Sequence, residues 1–269
     1  MTDYKIPNLK EILKPRWEHK PGFGMNKQFV LHKRESFQQS TAPEDKELLK
    51  KLEIKRGDRV LAIAGYYASW ASEIAKFGAN VDYSDISKSL VNWSKKKYGK
   101  LFKNYACSGY ELIPKKQKEY DWTFTFEACG GGSGLPIAYL RSLLNKKGGI
   151  LVYHLRYGKA KEKMGGKPRS YPLIVKTLSR VYGADYEIKQ IRVRSHRFEK
   201  PTKLITHKIH IIKTNDKARE LAWQDLKALN SNKFSIENLE RLNQFSKAIS
   251  EEYLKDKRSV NKNSDPGST

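Results

Sequence analysis

Val60-Leu-Ala-Ile-Ala-Gly65-Tyr-Tyr-Ala-Ser-Trp-Ala71, then a short helical run, then Gly78-Ala-Asn-Val-Asp-Tyr-Ser-Asp85-Ile-Ser87, is the stretch that decides the fold. Its first part has the length and apolar content of a buried strand. A small-residue turn around Gly65 follows, with a helix expected to begin near Ser69. A second apolar strand then ends in an acid, Asp85, twenty positions past Gly65. Strand, tight turn, helix, strand, acid is half of a dinucleotide-type site. In such a site the carboxylate accepts hydrogen bonds from ribose hydroxyls.

Working outward, Tyr120-Asp-Trp-Thr-Phe-Thr-Phe-Glu is a third apolar run. Ile137 to Leu144 has helical character, and Asn145-Lys-Lys-Gly-Gly turns the chain into Ile150-Leu-Val-Tyr-His-Leu. Strands alternating with helices imply an α/β fold with a doubly wound, mostly parallel sheet. Around this centre, 45–214, we expect an irregular N-terminal extension over 1–44 and a helical extension over 215–255. A polar, disordered tail is expected over 256–269. In the helical extension, Ser235 is an N-cap candidate with acids in the first turn. Leu239, Leu242, Phe245, Ile249 and Tyr253 recur at helical spacing, which marks a packing face.

Gly65, Asp85-Ile-Ser87, Tyr120-Asp121 and Leu144-Asn-Lys-Lys-Gly-Gly149 occur in an order that resembles the class I S-adenosylmethionine (SAM)-dependent methyltransferases. The resemblance covers roughly residues 45 to 213. It implies SAM as cofactor. It also implies a cofactor site made of Ala64, Gly65, Tyr66, Tyr67, Asp85, Ile86, Ser108, Gly109 and Phe126. The departures concern the first loop. That family carries acid-x-Gly-x-Gly-x-Gly there, whereas this chain has Ala62 at the acid position and Ala64, Tyr66 and Ala68 at glycine positions. Glycine serves such a loop by accepting positive φ and a close ligand. Cys107-Ser-Gly replaces a frequent Gly-Asp-Ala, so Ser108 offers an uncharged acceptor to an adenine amino group. Two readings of the pocket follow: a divergent working site, or a decayed one on a retained fold. Tyr66 or Tyr67 is expected to line or plug it.

Composition bounds the function. Lys and Arg number 53 against 29 Asp and Glu, a formal net charge of +24. Lysine-rich proteomes contribute to such a surplus, but the shortage of acids favours a polyanionic partner, RNA or a ribonucleoprotein first. Two cysteines, Cys107 and Cys129, form no metal or redox motif, which points to a reducing, cytoplasmic setting and no metal. No apolar run is long enough to span a membrane.

The basic residues are clustered. Lys159, Lys161, Lys163, Lys167 and Arg169 lie among Gly and Pro in what reads as a basic loop. Gln190-Ile-Arg-Val-Arg-Ser-His-Arg alternates apolar and basic positions, placing Arg192 and Arg194, with Arg197 beyond, on one strand face or edge. Both clusters are candidate nucleic-acid contacts; edge protection against aggregation accounts for the strand cluster equally well. Methyl transfer from a sulfonium needs alignment and sometimes removal of a proton from the acceptor. His154 is the candidate base, Arg156 a candidate anion contact, and Glu127 matches a frequent acid of the resembled family. Cys129 reads as packing. An inactive nucleic-acid-binding module and a small-molecule methyltransferase are the alternative functions.

Overall fold

The computed structural model describes residues 51–63, 68–85, 88–107, 117–126, 140–154, 172–195, 203–245 and 247. The chain begins its sheet with β1 (Arg59–Ile63). α1 (Ser69–Lys76) and β2 (Asn80–Asp85) follow. Next come α2 (Lys88–Tyr98), a 3-10 turn (Gly99–Leu101) and β3 (Asn104–Cys107). β4 (Trp122–Phe126) and β5 (Gly148–His154) lead to α3 (Pro172–Tyr182). β6 (Asp185–Ser195), β7 (Lys203–Lys213) and α4 (Asp216–Ser231) come after it. Residues 236–245 are helical.

The seven strands form one sheet in the order β3-β2-β1-β4-β5-β7-β6. β1 to β5 run parallel, and β7 runs antiparallel between β5 and β6. The doubly wound, mostly parallel architecture read from the sequence is therefore present. β1 is apolar at four of five positions because both its faces are covered. Val60 and Ala62 join α1 residues Trp70, Ala71 and Ile74 in one core cluster. Leu61 and Ile63 pack with Tyr120 on the opposite face. A further core joins Leu140, Leu143, Val175, Leu178 and Ile212 to Ala222, Leu226, Leu242 and Phe245. α4 and the helical stretch after it are thus bound to the sheet by shared apolar burial.

Two motifs of the sequence have structural causes. The Asp121 carboxylate accepts from the Arg59 backbone N–H at 2.8 Å, and the Asp121 N–H donates to the Arg59 carbonyl at 2.8 Å. This sets the register of β4 against β1. The paired glycines before β5 are needed for close approach. A Cβ on Gly148, whose φ is +144°, would meet the Ile212 carbonyl oxygen at 1.9 Å. One on Gly149 would meet the Ser142 Cβ at 2.1 Å. The turn ahead of them is held by the buried Asn145. Its amide donates to Thr123 Oγ1 at 2.8 Å and to the Gly148 carbonyl at 2.7 Å. Arg219 of α4 clamps the same turn through the carbonyls of Asn145 and Lys146.

The first helix of the C-terminal extension begins at Asp216, with Asn215 as N-cap accepting from the Ala218 N–H at 2.8 Å. Ser235 caps the next helix as expected. Its Oγ accepts from the Asn238 N–H at 3.2 Å, while Asn238 Oδ1 accepts from the Ser235 N–H at 3.0 Å. No helix of the described residues is long and apolar enough to cross a membrane.

Candidate functional site

In an open parallel sheet, ligands bind beyond the carboxyl ends of the strands, where the strand order reverses. Here the chain winds outward from β1 to β3, then returns to β4, so the reversal falls between β1 and β4. Ile63 ends β1 in register with Ser84 of β2 and Thr125 of β4. Asp85 therefore stands one residue past the end of β1, paired in register with Cys107 of β3. It is buried, at 5% exposure. Phe126 ends β4 opposite Val152, so His154 lies two positions further along β5. Asp85, Phe126 and His154, all expected at the site, are the last residues of β2, β4 and β5.

The electrostatics around Asp85 follow from its burial. Tyr83, two residues earlier on the same strand face, has its hydroxyl pushed well above its ordinary value by burial first and by the Asp85 charge second. Both causes favour the neutral phenol at Tyr83. The neighbouring polar pair faces the other side. Asp82 accepts from the Tyr120 hydroxyl at 2.9 Å, from Asn104 Nδ2 at 2.8 Å and from Arg59 at 3.2 Å. Those three donors commit Asp82 to structure. Burial first, then Asp82, raises the Tyr120 hydroxyl above its ordinary value.

The departures of the first loop resolve into two local facts. Ala62 is 1% exposed and belongs to the core cluster, so a methyl group occupies the position where the resembled family has its acid. Ala68, at a glycine position, adopts the left-handed conformation with φ +56° and ψ +16°. The backbone there takes a glycine-like turn without a glycine. Ala68 is also the N-cap of α1, and its side chain offers the helix no hydrogen bond. The Ala68 carbonyl accepts the first helical bond, from the Ser72 N–H at 2.7 Å.

Of the other residues expected at the site, Ala64, Gly65, Tyr66, Tyr67, Ile86, Ser108, Gly109 and Glu127 lie outside the described residues. So do Arg156, Lys159, Lys161, Lys163, Lys167, Arg169 and Arg197. Arg192 and Arg194 sit two apart on β6, an edge strand of the sheet, in register with Thr206 and Leu204. His154 pairs with His207, which pairs with Ile191. The run Arg192–Ser195 with Lys203–Thr206 therefore continues past the end of β5 as a two-stranded ribbon. One residue escaped the sequence reading. Thr125, next to the end of β4, is 3% exposed, and its Oγ1 has no hydrogen-bond partner among the described residues. A threonine inside an apolar strand gives no sequence signal of this; only burial shows it. Among the described residues no group of three His, Cys, Asp or Glu is placed to hold a metal ion.

No protein-family model and no curated protein matches the chain. Solved structures do. A SAM-dependent methyltransferase of Thermotoga maritima is 14% identical, with a TM-score of 0.51 over 70% of this chain and 98% of its own. A methyltransferase of Haloferax volcanii, solved in complex with the Trm112 methyltransferase activator, is 11% identical, with a TM-score of 0.50 over 67% of this chain and 92% of its own. The sheet order, the antiparallel β7 and these likenesses define the fold as that of the class I SAM-dependent methyltransferases.

Proposed function

We propose that this protein binds SAM at the carboxyl ends of β1, β2 and β4 and transfers its methyl group to RNA or a ribonucleoprotein. The observation that carries the first half is Asp85: a buried carboxylate that ends β2 one residue beyond β1, beside the strand reversal. A carboxylate is an acceptor only, and two vicinal ribose hydroxyls are its natural donors. The left-handed Ala68 supports the same reading, since it keeps the turn ahead of α1 in a conformation that glycine ordinarily supplies. The unpartnered Thr125 hydroxyl adds a polar group just below the rim. These residues fit a nucleoside cofactor.

Bound there, SAM supplies a methyl group already activated on a sulfonium. The remaining work for this chain is to align the acceptor and take up its proton. His154, ending β5 on the same rim, is assigned the base, with Glu127 assisting. Ala64, Gly65, Tyr66, Tyr67, Ile86, Ser108, Gly109 and Phe126 are assigned to the cofactor. RNA is preferred as acceptor because the net charge is +24. Arg192 and Arg194 on the β6–β7 ribbon, with the 159–169 loop and Arg197, are assigned to phosphate contacts. Transfer of labelled methyl from SAM to purified RNA tests the reading. Incorporation that disappears in Asp85→Ala supports it; none with any RNA, ribonucleoprotein or protein acceptor overturns it.

One observation favours a second reading. The acid of the family loop is replaced by Ala62, buried inside the core, so that contact to the cofactor is lost. A methyltransferase-like subunit that binds nucleic acid without catalysis would retain salt-sensitive RNA binding and show no affinity for S-adenosylhomocysteine.

A further inference from the structure

We propose that the β3 edge of the sheet, built from α2, the 3-10 turn and the start of β3, is a docking surface for the phosphodiester backbone of RNA. The inference deepens the reading of the acceptor as RNA and rests on it. From Lys88 to Lys103 the chain carries six lysines and no acid. All six, Lys88, Lys95, Lys96, Lys97, Lys100 and Lys103, are exposed. Lys88, Lys95 and Lys96 fall on the outer face of α2, while Leu90, Val91 and Ser94 are buried.

Acids elsewhere are committed. Asp58 pairs with Lys147, Glu53 with Lys189 and Lys213, Asp216 with Lys118 and Arg219, and Asp225 with Arg241. Among the described residues no ion pair involves Lys88, Lys95, Lys96, Lys100 or Lys103. The surface is also braced by ring contacts. Lys97 Nζ lies 4.5 Å from the Trp93 ring centroid, and Trp93 meets Tyr98 edge-on at 6.0 Å. Tyr98 in turn packs on Phe102 at 5.4 Å, and Phe102 stacks on the buried Tyr83 at 5.7 Å. The aromatic contacts run from Lys97 into the core, so the helix and turn that carry the lysines are held by packing, and less ordering remains to be done on binding.

Edge protection and membrane attachment both fit these lysines less well. Lysines that guard an edge strand against pairing lie on the strand itself, whereas these precede β3, on the helix, in the turn or at its exit. An anionic membrane surface is held by an apolar face together with charge. The large exposed hydrophobic residues among those described are Ile188 and Ile236, and neither is here. A phosphodiester backbone is the polyanion these observations favour. β3 and β6 are the two opposite edges of the sheet, so this surface is separate from the Arg192 and Arg194 ribbon.

The test is fluorescence anisotropy of the full chain with a labelled oligouridylate of about twenty nucleotides, over a series of salt concentrations. One variant combines Lys88→Gln, Lys95→Gln, Lys96→Gln and Lys100→Gln. A charge-matched control combines Lys217→Gln, Lys227→Gln, Lys233→Gln and Lys247→Gln, all of them exposed. Each phosphate contact contributes a salt slope of roughly −0.7 on a single strand, so the first variant should lose roughly two to three units of slope and about tenfold or more in affinity at low salt. The control should lose less than about threefold. Equal loss in both, or none in the first, overturns the proposal, as does loss on phosphatidylserine vesicles with none on RNA. If the first variant fails to fold, Lys95→Gln with Lys96→Gln and Lys88→Gln with Lys100→Gln are compared as pairs. S-adenosylhomocysteine calorimetry on the same proteins reads the cofactor site separately: its absence with the RNA effect intact sinks the methyltransferase reading and leaves this surface standing.

Discussion

Ala68 holds a left-handed backbone at 0% exposure, and the two facts oppose each other on mutation. An L-residue in that conformation costs about 1–2 kcal/mol. Replacing the buried methyl by hydrogen costs about 1 kcal/mol in lost transfer energy. Ala68→Gly should therefore change stability by less than about 1 kcal/mol, whereas Ala68→Val, β-branched and oversized, should cost about 2–4 kcal/mol. Urea unfolding of both variants checks this; a Gly variant as unstable as the Val variant contradicts the assigned turn. Gly148 is the reverse case. With φ +144° and a carbonyl oxygen 1.9 Å from the position of a Cβ, Gly148→Ala must push β5 away from β7. A loss of about 2–5 kcal/mol is expected in the same measurement. This glycine pair was legible as a motif before its cause was known. The Asn145 and Arg219 clamp beside it was not, because nothing in the spacing of 145 and 219 marks them as partners.

At the level of elements, one carboxylate adds to the apolar burial that holds the helices after β7. Asp225 of α4 is 0% exposed and accepts from the Tyr182 hydroxyl at 2.5 Å, from Asn238 at 2.6 Å and from Arg241 through both Nε and an Nη. It ties α3 and the 236–245 helix to α4. Asp225→Ala should cost about 3–5 kcal/mol, since Arg241 is left buried without a counter-charge. Thermal unfolding should then show a loss of cooperativity first in these helices. A second tie joins the segment before β1 to β6 and β7. Burial alone would raise the Glu53 carboxyl, but Lys189 and Lys213 outweigh it and hold it below its ordinary value. Lys213 is raised mainly by its bond to Glu53. Burial alone would lower Lys189, but its bonds to Glu187 and Glu53 outweigh that and raise it. A depressed carboxyl contributes stability that is complete above its ordinary 4.5 and lost as pH falls through its folded value. The raised ammonium groups contribute below their ordinary 10.5 and lose it as pH rises through theirs. The pairs are partly exposed, so Glu53→Gln should cost about 1 kcal/mol or less at pH 7, and the difference from wild type should shrink as pH falls below 4.5 through the depressed value. The strands of the centre could be read from apolar runs. β3 could not: Asn104, Ala106 and Cys107 are exposed, and Tyr105 makes tilted and edge-on ring contacts with Phe102 and Tyr83 rather than an alternating apolar row.

For the whole molecule, the sheet order follows from β-α alternation, and Asp85 follows from its spacing to Gly65. What lay beyond the sequence is where charge remains unmatched. Basic clusters drew attention to the 159–169 loop and to Arg192 and Arg194, whereas exposure and ion pairing are three-dimensional properties, and among the described residues they add the α2–β3 edge. Net charge and fold together frame the proposed nucleoside site at the strand reversal between β1 and β4. That site carries the central claim, and isothermal titration calorimetry with S-adenosylhomocysteine tests it most directly. Wild type should bind at one site per chain, and Asp85→Ala should lose about 1.5–3 kcal/mol, roughly 10- to 150-fold, as expected for a hydrogen bond to a charged acceptor. No heat of binding by the wild type at millimolar ligand, or equal affinity in the Asp85→Ala variant, would contradict it.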